Sequence, residues 1–557
     1  MDYIFYSLIA VLALVIYSII NEHKQKKALI ERLKEEWAAI PDTEYSSEKL
    51  NSIKYFYRTQ RDENLDVDDI TWNDLDMDEI FRRINNTQSS LGEEYLYALL
   101  RKPCFSAEEL EERNRLIEYF QTHENERLHM QTKLNKVSKL RKISAFEYAN
   151  RLSELEPKSN LPHYLMIIAL ILSLAFIFLN PSIGMGLTIF TMVINILLYY
   201  RYKKEIDNYF IIIAFQLRLL DSIEDILKLS IPELEQYSKR LAADIKTFRQ
   251  YKRGSSIVVA RNVSGSFFEA IMDYYRMTTH HDLIKFNNML AFFKKNKEVM
   301  LRIFKVVGFL DSMIAAASYR DMLDYYCIPR LSQDKGHPNL SVIEVYHPLI
   351  KKPVANSITE DGCTLLTGSN ASGKSTFIKS LAINQILSQT IYTSLSKEFK
   401  ASYFTIYSSM ALKDNILSNE SYFIVEIKSL KRILDKAKGK YPILCFVDEV
   451  LRGTNTLERI AASSRILASL KNENALCFAA THDIELTYIL EKQYSNYHFR
   501  ERIEGNQVLF DYKLYKGRAV SKNAIKLLKL LGYSRNIISN AEAAADEYMT
   551  TGEWSTI

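Results

Sequence analysis

The most restrictive feature of this 557-residue chain is the run Gly-Ser-Asn-Ala-Ser-Gly-Lys-Ser at residues 368–375. It matches the phosphate-loop pattern G-x-x-x-x-G-K-[ST] at every constrained position. An apolar strand-like run, 363–367, precedes it, and a helix-like run, 375–387, follows it. Glycines let backbone N–H groups turn toward phosphate oxygens, and a helix N-terminus adds partial positive charge. The pattern predicts a nucleotide cradle. A glycine-rich turn without a ligand is disfavoured, because a second nucleotide motif follows.

The loop pattern assigns roles to individual residues. Lys374 is expected to reach the β- and γ-phosphates, and Ser375 is expected to hold Mg²⁺. The other predicted nucleotide contacts are the remaining loop residues and the next helical residue: Gly368, Ser369, Asn370, Ala371, Ser372, Gly373 and Thr376. The sequence therefore predicts ATP and Mg²⁺ as cofactors.

Two further apolar runs end in residues suited to ATP hydrolysis. Residues 443–449 form a buried-strand pattern that ends in Asp448, suited to Mg²⁺, and Glu449, suited to orienting an attacking water. Residues 475–482 end in His482, which can contact the γ-phosphate. Taken singly, the acids could make a surface salt bridge and the histidine could be structural. Their order after the phosphate loop favours Glu449, His482 and Lys374 as catalytic residues.

Together these segments resemble the ATPase domain of the MutS family of DNA mismatch repair proteins. The likeness lies in "TGSNASGKST", "VDEVLRGTNT", "AATHDIELT" and, at 414–426, "DNILSNESYFIVE". It implies an α/β ABC-type P-loop ATPase domain over 336–557, with C-terminal dimerisation helices. It also implies composite sites in a dimer, in which Ser421 reaches the γ-phosphate of the opposite protomer. Segment 353–356, ending at Asn356, falls where the family holds the adenine.

The helix-like remainder resembles the family less specifically. Residues 71–160 and 201–335 are assigned to an all-α MutS-like core and lever domain. The family's mismatch-reading and connector domains are not expected, because only about 70 residues precede this core. The resemblance to the core lies in six positions: Thr87, Gly92, Leu96, Leu100, Pro103 and Arg113.

An uncharged run at residues 3–20 has about the length needed to span a bilayer. Basic residues follow it directly, which predicts a cytoplasmic C-terminal flank. A cleaved signal peptide would have its basic residues before the apolar run. We therefore expect a retained transmembrane anchor over 1–21 and a juxtamembrane helical segment over 22–70.

A second apolar region, 161–200, divides at an Asn-Pro turn signal that begins at Asn180. Neither half contains Asp, Glu, Lys or Arg, and basic residues flank both ends. In the family, the corresponding excursion between lever helices is the DNA clamp. The sequence predicts a transmembrane helical hairpin in its place. A hairpin buried in a soluble core is the alternative, but uncharged runs this long seldom occur in soluble helices.

The charge balance gives no sign of a strongly electropositive DNA-binding protein. Lysine and arginine number 72 against 67 acidic residues, a net charge of +5.

Two departures from the family concern the ATPase domain. Ser408-Ser409 replace an expected Thr-Arg, which leaves DNA-to-ATPase communication open. Pro353 falls where an aromatic residue often stacks on adenine, which leaves base stacking open.

The sequence thus predicts a membrane-anchored MutS-like ATPase that couples ATP hydrolysis to motion of its lever helices. It would be a multi-pass protein of the cell membrane, with its ATPase domain in the cytoplasm. The expected partners are a second copy bound through that domain, membrane lipid and an unidentified protein, with DNA left open. Two alternatives stand beside it. One is a membrane-tethered DNA-binding protein of repair or recombination. The other is a non-catalytic scaffold that uses ATP as a dimerisation switch.

Overall fold

The chain divides into two compact units in the computed structural model. The first, here called the helical unit, comprises Met1–Arg61, Arg82–Ala98 and Arg115–Met322. The second, here called the sheet unit, comprises Asp62–Phe81, Leu99–Asn114 and Leu323–Ile557. The structure describes residues 2–42, 44–140, 142–252, 267–333, 338–369, 372–410, 422–451, 454–472, 474–504, 507–519, 525, 528 and 532–556.

Helices make up the described chain before the first strand. In chain order they are α1 (Asp2–Glu35), α2 (Ser47–Arg58), α3 (Asp69–Asp74), α4 (Met77–Ile84), α5 (Ser90–Arg101), α6 (Ala107–Thr122), α7 (Glu124–Val137), α8 (Ala145–Glu154), α9 (Leu161–Phe176), α10 (Pro181–Leu227), a 3₁₀ turn (Pro232–Leu234), α11 (Glu235–Lys252), α12 (Phe267–Thr279), α13 (His281–Lys295) and α14 (Lys297–Met322).

The predicted apolar hairpin is formed by α9 and α10. Asn180 begins α10 by accepting a hydrogen bond from the Ile183 N–H (3.3 Å). Proline in the first turn suits a helix start, because an N–H there has no helical partner. Helix α10 continues without a break beyond its apolar part and is 47 residues long in all. At 1.5 Å per residue it is roughly 70 Å long.

Small and hydroxyl side chains line the seam between the two arms of this hairpin. A Cβ at Gly184 would lie 2.5 Å from the Ile177 Cα, so a glycine is needed there. The Ser173 and Thr191 hydroxyls lie 3.1 Å apart, within hydrogen-bond distance. Close contacts through small residues, joined by hydroxyl hydrogen bonds, are typical of helix pairs in bilayers.

The outer faces of the hairpin expose large apolar side chains. Phe178 is 92% exposed, Phe190 62% and Ile168 51%. Among the described residues, one helical stretch, Pro181–Asp207, is long and apolar enough to cross a membrane by length and composition. The apolar helix α9 is shorter than that criterion requires. The predicted anchor at 3–20 lies in α1, and most of its side chains are outside the described residues.

A buried carboxylate closes the N-terminus of α5. Asp311 of α14 accepts hydrogen bonds from the Gln88 N–H (3.0 Å), the Ser89 N–H (2.9 Å) and the Ser89 hydroxyl (2.6 Å). A Cβ at Gly92 would overlap this carboxylate. Burial raises the pKa of Asp311 to about 6. Gly92, one of the positions at which the chain resembles the family, is therefore explained by packing, because a glycine leaves room for the Asp311 carboxylate.

A second buried carboxylate, Glu94, binds the N-terminus of α8. It accepts hydrogen bonds from the Ala145 N–H (2.7 Å) and from the Ser144 hydroxyl. Burial raises the pKa of Glu94 to about 8, against an ordinary value of 4.5. Between those pH values the folded protein keeps a proton that the unfolded chain releases, so the free energy of unfolding falls as pH rises through this window.

We expect Glu94→Gln to weaken this pH dependence. Glutamine keeps a carbonyl oxygen for the Ala145 N–H and offers an amide donor to Ser144, yet it cannot ionise. Denaturant unfolding at pH 5, 6.5 and 8 would show wild-type stability declining more steeply than that of the variant. Glu118→Gln, at an exposed position of the same unit, serves as the control. Equal pH slopes for wild type and Glu94→Gln would contradict the prediction.

The sheet unit contains two sheets. Its strands are β1 (Arg330–Ser332), β2 (Leu340–Val345), β3 (Asn356–Glu360), β4 (Thr364–Thr367), β5 (Glu398–Ser402), β6 (Thr405–Ser409), β7 (Ile443–Asp448), β8 (Ala475–Ala480), β9 (Ser495–Glu504) and β10 (Gln507–Lys516). Its later helices are α15 (Lys374–Thr390), α16 (Tyr422–Lys436), α17 (Thr456–Asn472), α18 (Ile484–Ile489) and α19 (Arg535–Thr551). One sheet has the order β1-β5-β2-β3, and the other has the order β10-β9-β4-β8-β7-β6.

The larger sheet is parallel except for the antiparallel pair β9–β10. Strands β7 and β8 are almost wholly buried, as their continuous apolar sequences predict. Helices α16 and α17 pack their apolar residues into the same core cluster, through side chains such as Ile433 and Leu467.

Two segments of the sheet unit, 62–81 and 99–114, come from the part of the chain before the first strand. Residues 71–81 and 99–114 fall within the range 71–160 that the sequence assigned to the helical core and lever domain. In the second segment, the Cys104 N–H donates to the Gln389 carbonyl (2.7 Å), and the buried Cys104 side chain packs against Tyr403. These contacts join residues that are distant in sequence, so local pattern does not indicate them.

Candidate ATP site

Three parallel strands end at the same edge of the larger sheet. Leu366 of β4 pairs with Ala480 of β8, which in turn pairs with Asp448 of β7. The segments that follow are therefore neighbours, since the carboxyl ends of parallel strands share one edge. They are the phosphate loop, Glu449 and His482. The structure thus brings together the three motifs that the sequence identified separately.

The backbone of the phosphate loop depends on its two glycines. Gly368 has φ +148° and Gly373 has φ +111°, in the region that favours glycine. A Cβ at Gly368 would also lie 2.8 Å from the Phe499 carbonyl oxygen. Gly373 is the N-cap of α15, which begins at Lys374. The loop therefore leads directly into a helix N-terminus, as an anion-binding loop requires.

Lys374 lies inside this loop. Its side chain is almost fully buried, and its Nζ donates to the carbonyls of Gly368 (2.8 Å) and Ser369 (2.9 Å). The Ser369 hydroxyl donates to the Glu501 carboxylate (2.7 Å). These bonds hold the ammonium group against the first two residues of the loop.

Other predicted contacts fall at the start of α15 or outside the described chain. Ser375 and Thr376 are exposed in the first turn of α15, and Ser372 is buried in the loop. The predicted contacts at Asn370, Ala371 and Ser421 lie outside the described residues.

Glu449 and His482 form a pair at the sheet edge. The His482 Nε2 lies 3.0 Å from the Glu449 Oε1. Glu449 has φ +58°, a left-handed conformation unusual for a residue with a side chain. Its N–H donates to the Ala480 carbonyl (2.9 Å), which ties this turn to β8. Unusual backbone held by its surroundings is often found at active sites, and here it directs the carboxylate to His482.

Asp448 has the environment expected of a metal ligand. Its Oδ1 is buried and has no hydrogen-bond partner within the described part of the protein. A bound cation would satisfy that oxygen, and Ser375 could supply a second oxygen ligand. No group of three His, Cys, Asp or Glu among the described residues could hold a metal ion. The residues present fit Mg²⁺, which typically takes one or two protein oxygens and completes its shell with phosphate and water.

An ion pair that the sequence analysis missed supports the His482 turn. Arg459 of α17 binds Asp483 through two hydrogen bonds, Nε to Oδ2 (2.9 Å) and Nη2 to Oδ1 (2.7 Å). The Asp483 N–H donates to the Thr481 hydroxyl (3.0 Å). Bidentate pairing fixes orientation as well as distance. The only local signal was an aspartate directly after the histidine.

A cavity of about 330 Å³ lies beside the phosphate loop and includes Gly373 in its wall. Its lining includes His347, Pro353, Asn356 and Tyr512. Burial lowers the pKa of His347 to about 4, so this ring is neutral at physiological pH. The cavity is large enough for an aromatic base and has mainly apolar walls. It lies where the sequence predicted adenine at 353–356.

Tyr512 supplies an aromatic ring to this cavity that the sequence analysis missed. A Cβ at Gly373 would lie 3.4 Å from the Tyr512 ring, which places the ring beside the loop. The Asn356 amide donates to the Tyr512 carbonyl (2.9 Å) and accepts from the Leu514 N–H (2.8 Å). Asn356 therefore holds β10 against β3 while lining the cavity. Pro353 left base stacking open, and the Tyr512 ring is an aromatic side chain in the wall of this cavity.

Residues 364–549 match the family profile of MutS domain V. DNA mismatch repair protein MutS of Thermotoga neapolitana is 28% identical over 272 residues, covering 46% of this chain and 33% of that protein. DNA mismatch repair protein MSH3 of Debaryomyces hansenii is 28% identical over 296 residues, covering 48% and 28%. MutS protein homolog 4 of Homo sapiens is 28% identical over 293 residues, covering 49% and 30%. The chain thus spans about a third of the length of the curated relatives it matches.

The matched segment contains every motif of the site except the residues around 353–356. The match confirms the α/β P-loop ATPase class predicted for this part of the chain. Residues 364–549, which contain the candidate site, are thus similar to MutS domain V, and about half of the chain is similar to MutS and MSH proteins.

Proposed function

We propose that this protein is a membrane-anchored, dimeric MutS-type ATPase that hydrolyses ATP on the cytoplasmic face and passes the resulting motion along its helices. The observation that carries the proposal is the convergence of Lys374, Asp448, Glu449 and His482 at one sheet edge. MutS family members are ATPases, which supports the activity at the level of the family.

The chemistry assigned to these residues is phosphoryl transfer to water. The loop N–H groups and Lys374 hold the phosphates, and Glu449 orients the attacking water and takes its proton. A bond forms between the water oxygen and the γ-phosphorus as the bond between that phosphorus and the oxygen of the leaving ADP breaks. His482 holds the Glu449 carboxylate, 3.0 Å from its Nε2, and we assign to it a contact with the γ-phosphate. Mg²⁺, held by Ser375 and Asp448, would offset charge on the phosphate oxygens.

We assign dimerisation to the ATPase domain. Exposed apolar side chains flank the site on helices α17 and α18: Leu457 is 79% exposed, Tyr488 60% and Ile489 56%. Such side chains are suited to contact with another protein surface. Ser421 is the residue proposed to complete the site of the opposite protomer.

We assign the α9–α10 hairpin and the first part of α1 to the membrane. Outward apolar faces on both arms of the hairpin and a seam of small residues support insertion in a bilayer. The charged continuation of α10 then lies on the cytoplasmic side. We therefore propose the cell membrane as the location and lipid as a direct partner.

A second candidate function is DNA binding of the repair or recombination type at the membrane. It is favoured by the names of the relatives, which are DNA mismatch repair proteins. In this case duplex DNA would bind with an affinity that falls steeply as salt rises.

ATP turnover by the full chain in nanodiscs, with and without duplex DNA, tests these assignments. We expect Mg²⁺-dependent turnover that DNA leaves unchanged. A change of several-fold on adding DNA, together with salt-dependent DNA binding, would favour the second candidate. ATP-dependent dimerisation without turnover would contradict an ATPase and favour a scaffold.

A further inference from the structure

Helix α3 covers the open edge of the larger sheet. Among the described strands, β6 is the last of this sheet and pairs with β7 alone. The Ser408 N–H donates to the Thr71 hydroxyl (3.0 Å), and the Met410 N–H donates to the Asp74 carboxylate (3.0 Å). The Ser408 hydroxyl also donates to Asp74 (2.6 Å). Side-chain oxygens of α3 therefore satisfy edge N–H groups that another strand would otherwise take.

A second attachment joins α3 to α16. Asp68, the N-cap of α3, accepts a hydrogen bond from the Thr71 N–H (2.8 Å) and pairs with the Arg432 guanidinium. Arg432 also donates to the Ser408 carbonyl, and its guanidinium lies 5.7 Å from the centre of the Tyr407 ring. Asp68 and Arg432 are each 18% exposed, so water screens this pair only partly.

A third attachment reaches the phosphate-loop helix. Asp76, two residues beyond α3, accepts a hydrogen bond from the Lys379 Nζ (2.8 Å). Lys379 lies on α15 one turn after Ser375 and so on the same side of the helix. Asp76 has φ +52°, and this left-handed residue ends the α3 turn.

These attachments connect the two halves of the proposed ATP site. Helix α15 begins with Lys374 and Ser375, the residues proposed to bind phosphate and Mg²⁺. Strand β6 pairs with β7 up to Ser409 and Val447, the residue before Asp448 and Glu449. Segment 68–76 therefore bridges the element that binds phosphate and the strand pair that carries the water-orienting carboxylate.

We propose that segment 68–76 is a brace that sets the geometry of ATP hydrolysis, with Asp74 and Asp76 as positioning residues. The inference rests on the proposed ATPase function. Neither carboxylate belongs to the set assigned to nucleotide or metal, so each acts through the element it holds. Because small displacements of catalytic groups cost far more in rate than in affinity, the brace should affect turnover more than binding.

The test is the double variant Asp74→Asn/Asp76→Asn in the full chain. Asparagine keeps the size of the side chain and removes the charge. We expect kcat for ATP to fall about tenfold, with nucleotide Kd changed by less than about threefold. The matched control is the double variant Glu398→Gln/Asp435→Asn, which removes two exposed carboxylates of the sheet unit that lie outside segment 68–76. The control should turn over ATP at the wild-type rate.

Two further readouts separate positioning from general destabilisation. Amide hydrogen exchange should rise in peptides covering α15 and β7 in the double variant but not in the control. The charge exchange Asp76→Lys/Lys379→Asp should recover part of the rate lost in Asp76→Lys alone. Unchanged kcat and exchange would overturn the brace. Parallel losses of kcat, nucleotide affinity and Tm would also overturn the brace, because they indicate a structural role only.

The outcome for the brace is distinguishable from the outcome for the function. If the wild-type protein shows no Glu449-dependent turnover, the ATPase proposal fails. The exchange measurement then still reports whether Asp74 and Asp76 hold α15 and β7. If wild-type turnover is present and the double variant matches it with normal exchange, only the brace fails.

Discussion

Replacing Glu449 by glutamine is expected to reduce ATP turnover by about 10³-fold while nucleotide binding is retained. The side chain keeps its size, and an amide can still accept from His482, so the turn after β7 should hold its shape. What is lost is the carboxylate that orients the water and takes its proton, a contribution of about 10²–10⁴-fold in enzymes generally. Steady-state phosphate release and equilibrium binding of a fluorescent ATP analogue would measure the two effects separately.

Glu485→Gln provides the control for Glu449→Gln. Glu485 is exposed, lies three residues after His482 and has no role in the proposed chemistry. Glu485→Gln removes the same charge from the same region, so the kcat of this variant should stay within about twofold of wild type. If Glu449→Gln turned over ATP at the wild-type rate, the assignment of this carboxylate would be wrong. A loss of binding equal to the loss of rate would instead indicate a damaged site.

Arginine placed on the outer faces of the apolar segments should release the protein from membranes. We expect Ala13→Arg/Ile168→Arg/Phe190→Arg to move from the membrane fraction to the soluble or aggregated fraction. Ile168 and Phe190 lie near the middle of the two hairpin arms with their side chains exposed, and Ala13 is exposed on α1. An arginine at the centre of a membrane helix costs about 2.5–3.5 kcal/mol on insertion scales, so three should outweigh the remaining apolar contacts.

Alanine at the same three positions is the matched control, and it should remain in the membrane after an alkaline wash. Because residue 13 is already alanine, this control is the double variant Ile168→Ala/Phe190→Ala. Ala13→Arg alone and Ile168→Arg/Phe190→Arg alone separate the anchor from the hairpin, and each is expected to leave part of the protein bound. Retention of the triple arginine variant would refute insertion of these faces. Release by the alanine control would indicate that folding, and not charge, determines the location.

The candidate ATP site was largely predictable because each motif combines a strand with the residue that ends it. Once β4, β7 and β8 are recognised as parallel neighbours, their ends must meet. The proximity of Lys374, Glu449 and His482 then follows from topology. The pairing of His482 with Glu449 was not predictable from this topology. The sequence indicated a phosphate contact for His482, and the choice of partner depends on the left-handed turn at Glu449.

Other features left no local signal. Tyr512 reaches the cavity beside the phosphate loop at a point where β10 is irregular, between Phe510 and Leu514, and this shift in register is not apparent from alternating residues. Helix α3 is only six residues long, and the Thr71–Ser408 contact spans 337 residues. Such contacts depend on which surfaces the completed sheet leaves open. Sequence periodicity reports only which face of an element is apolar.

If α10 is inserted in a bilayer as proposed, its unbroken course has a consequence for how the bilayer influences this protein. A continuous helix has no joint between its apolar part and its charged part, so a rotation of one end must appear at the other. From Arg201 to Leu227 the rod extends roughly 40 Å at 1.5 Å per residue. A tilt of about 10° in the lipid would swing its far end sideways by roughly 7 Å over that length. The thickness and tension of the bilayer, which set the tilt of inserted helices, would therefore change the position of the far end of α10.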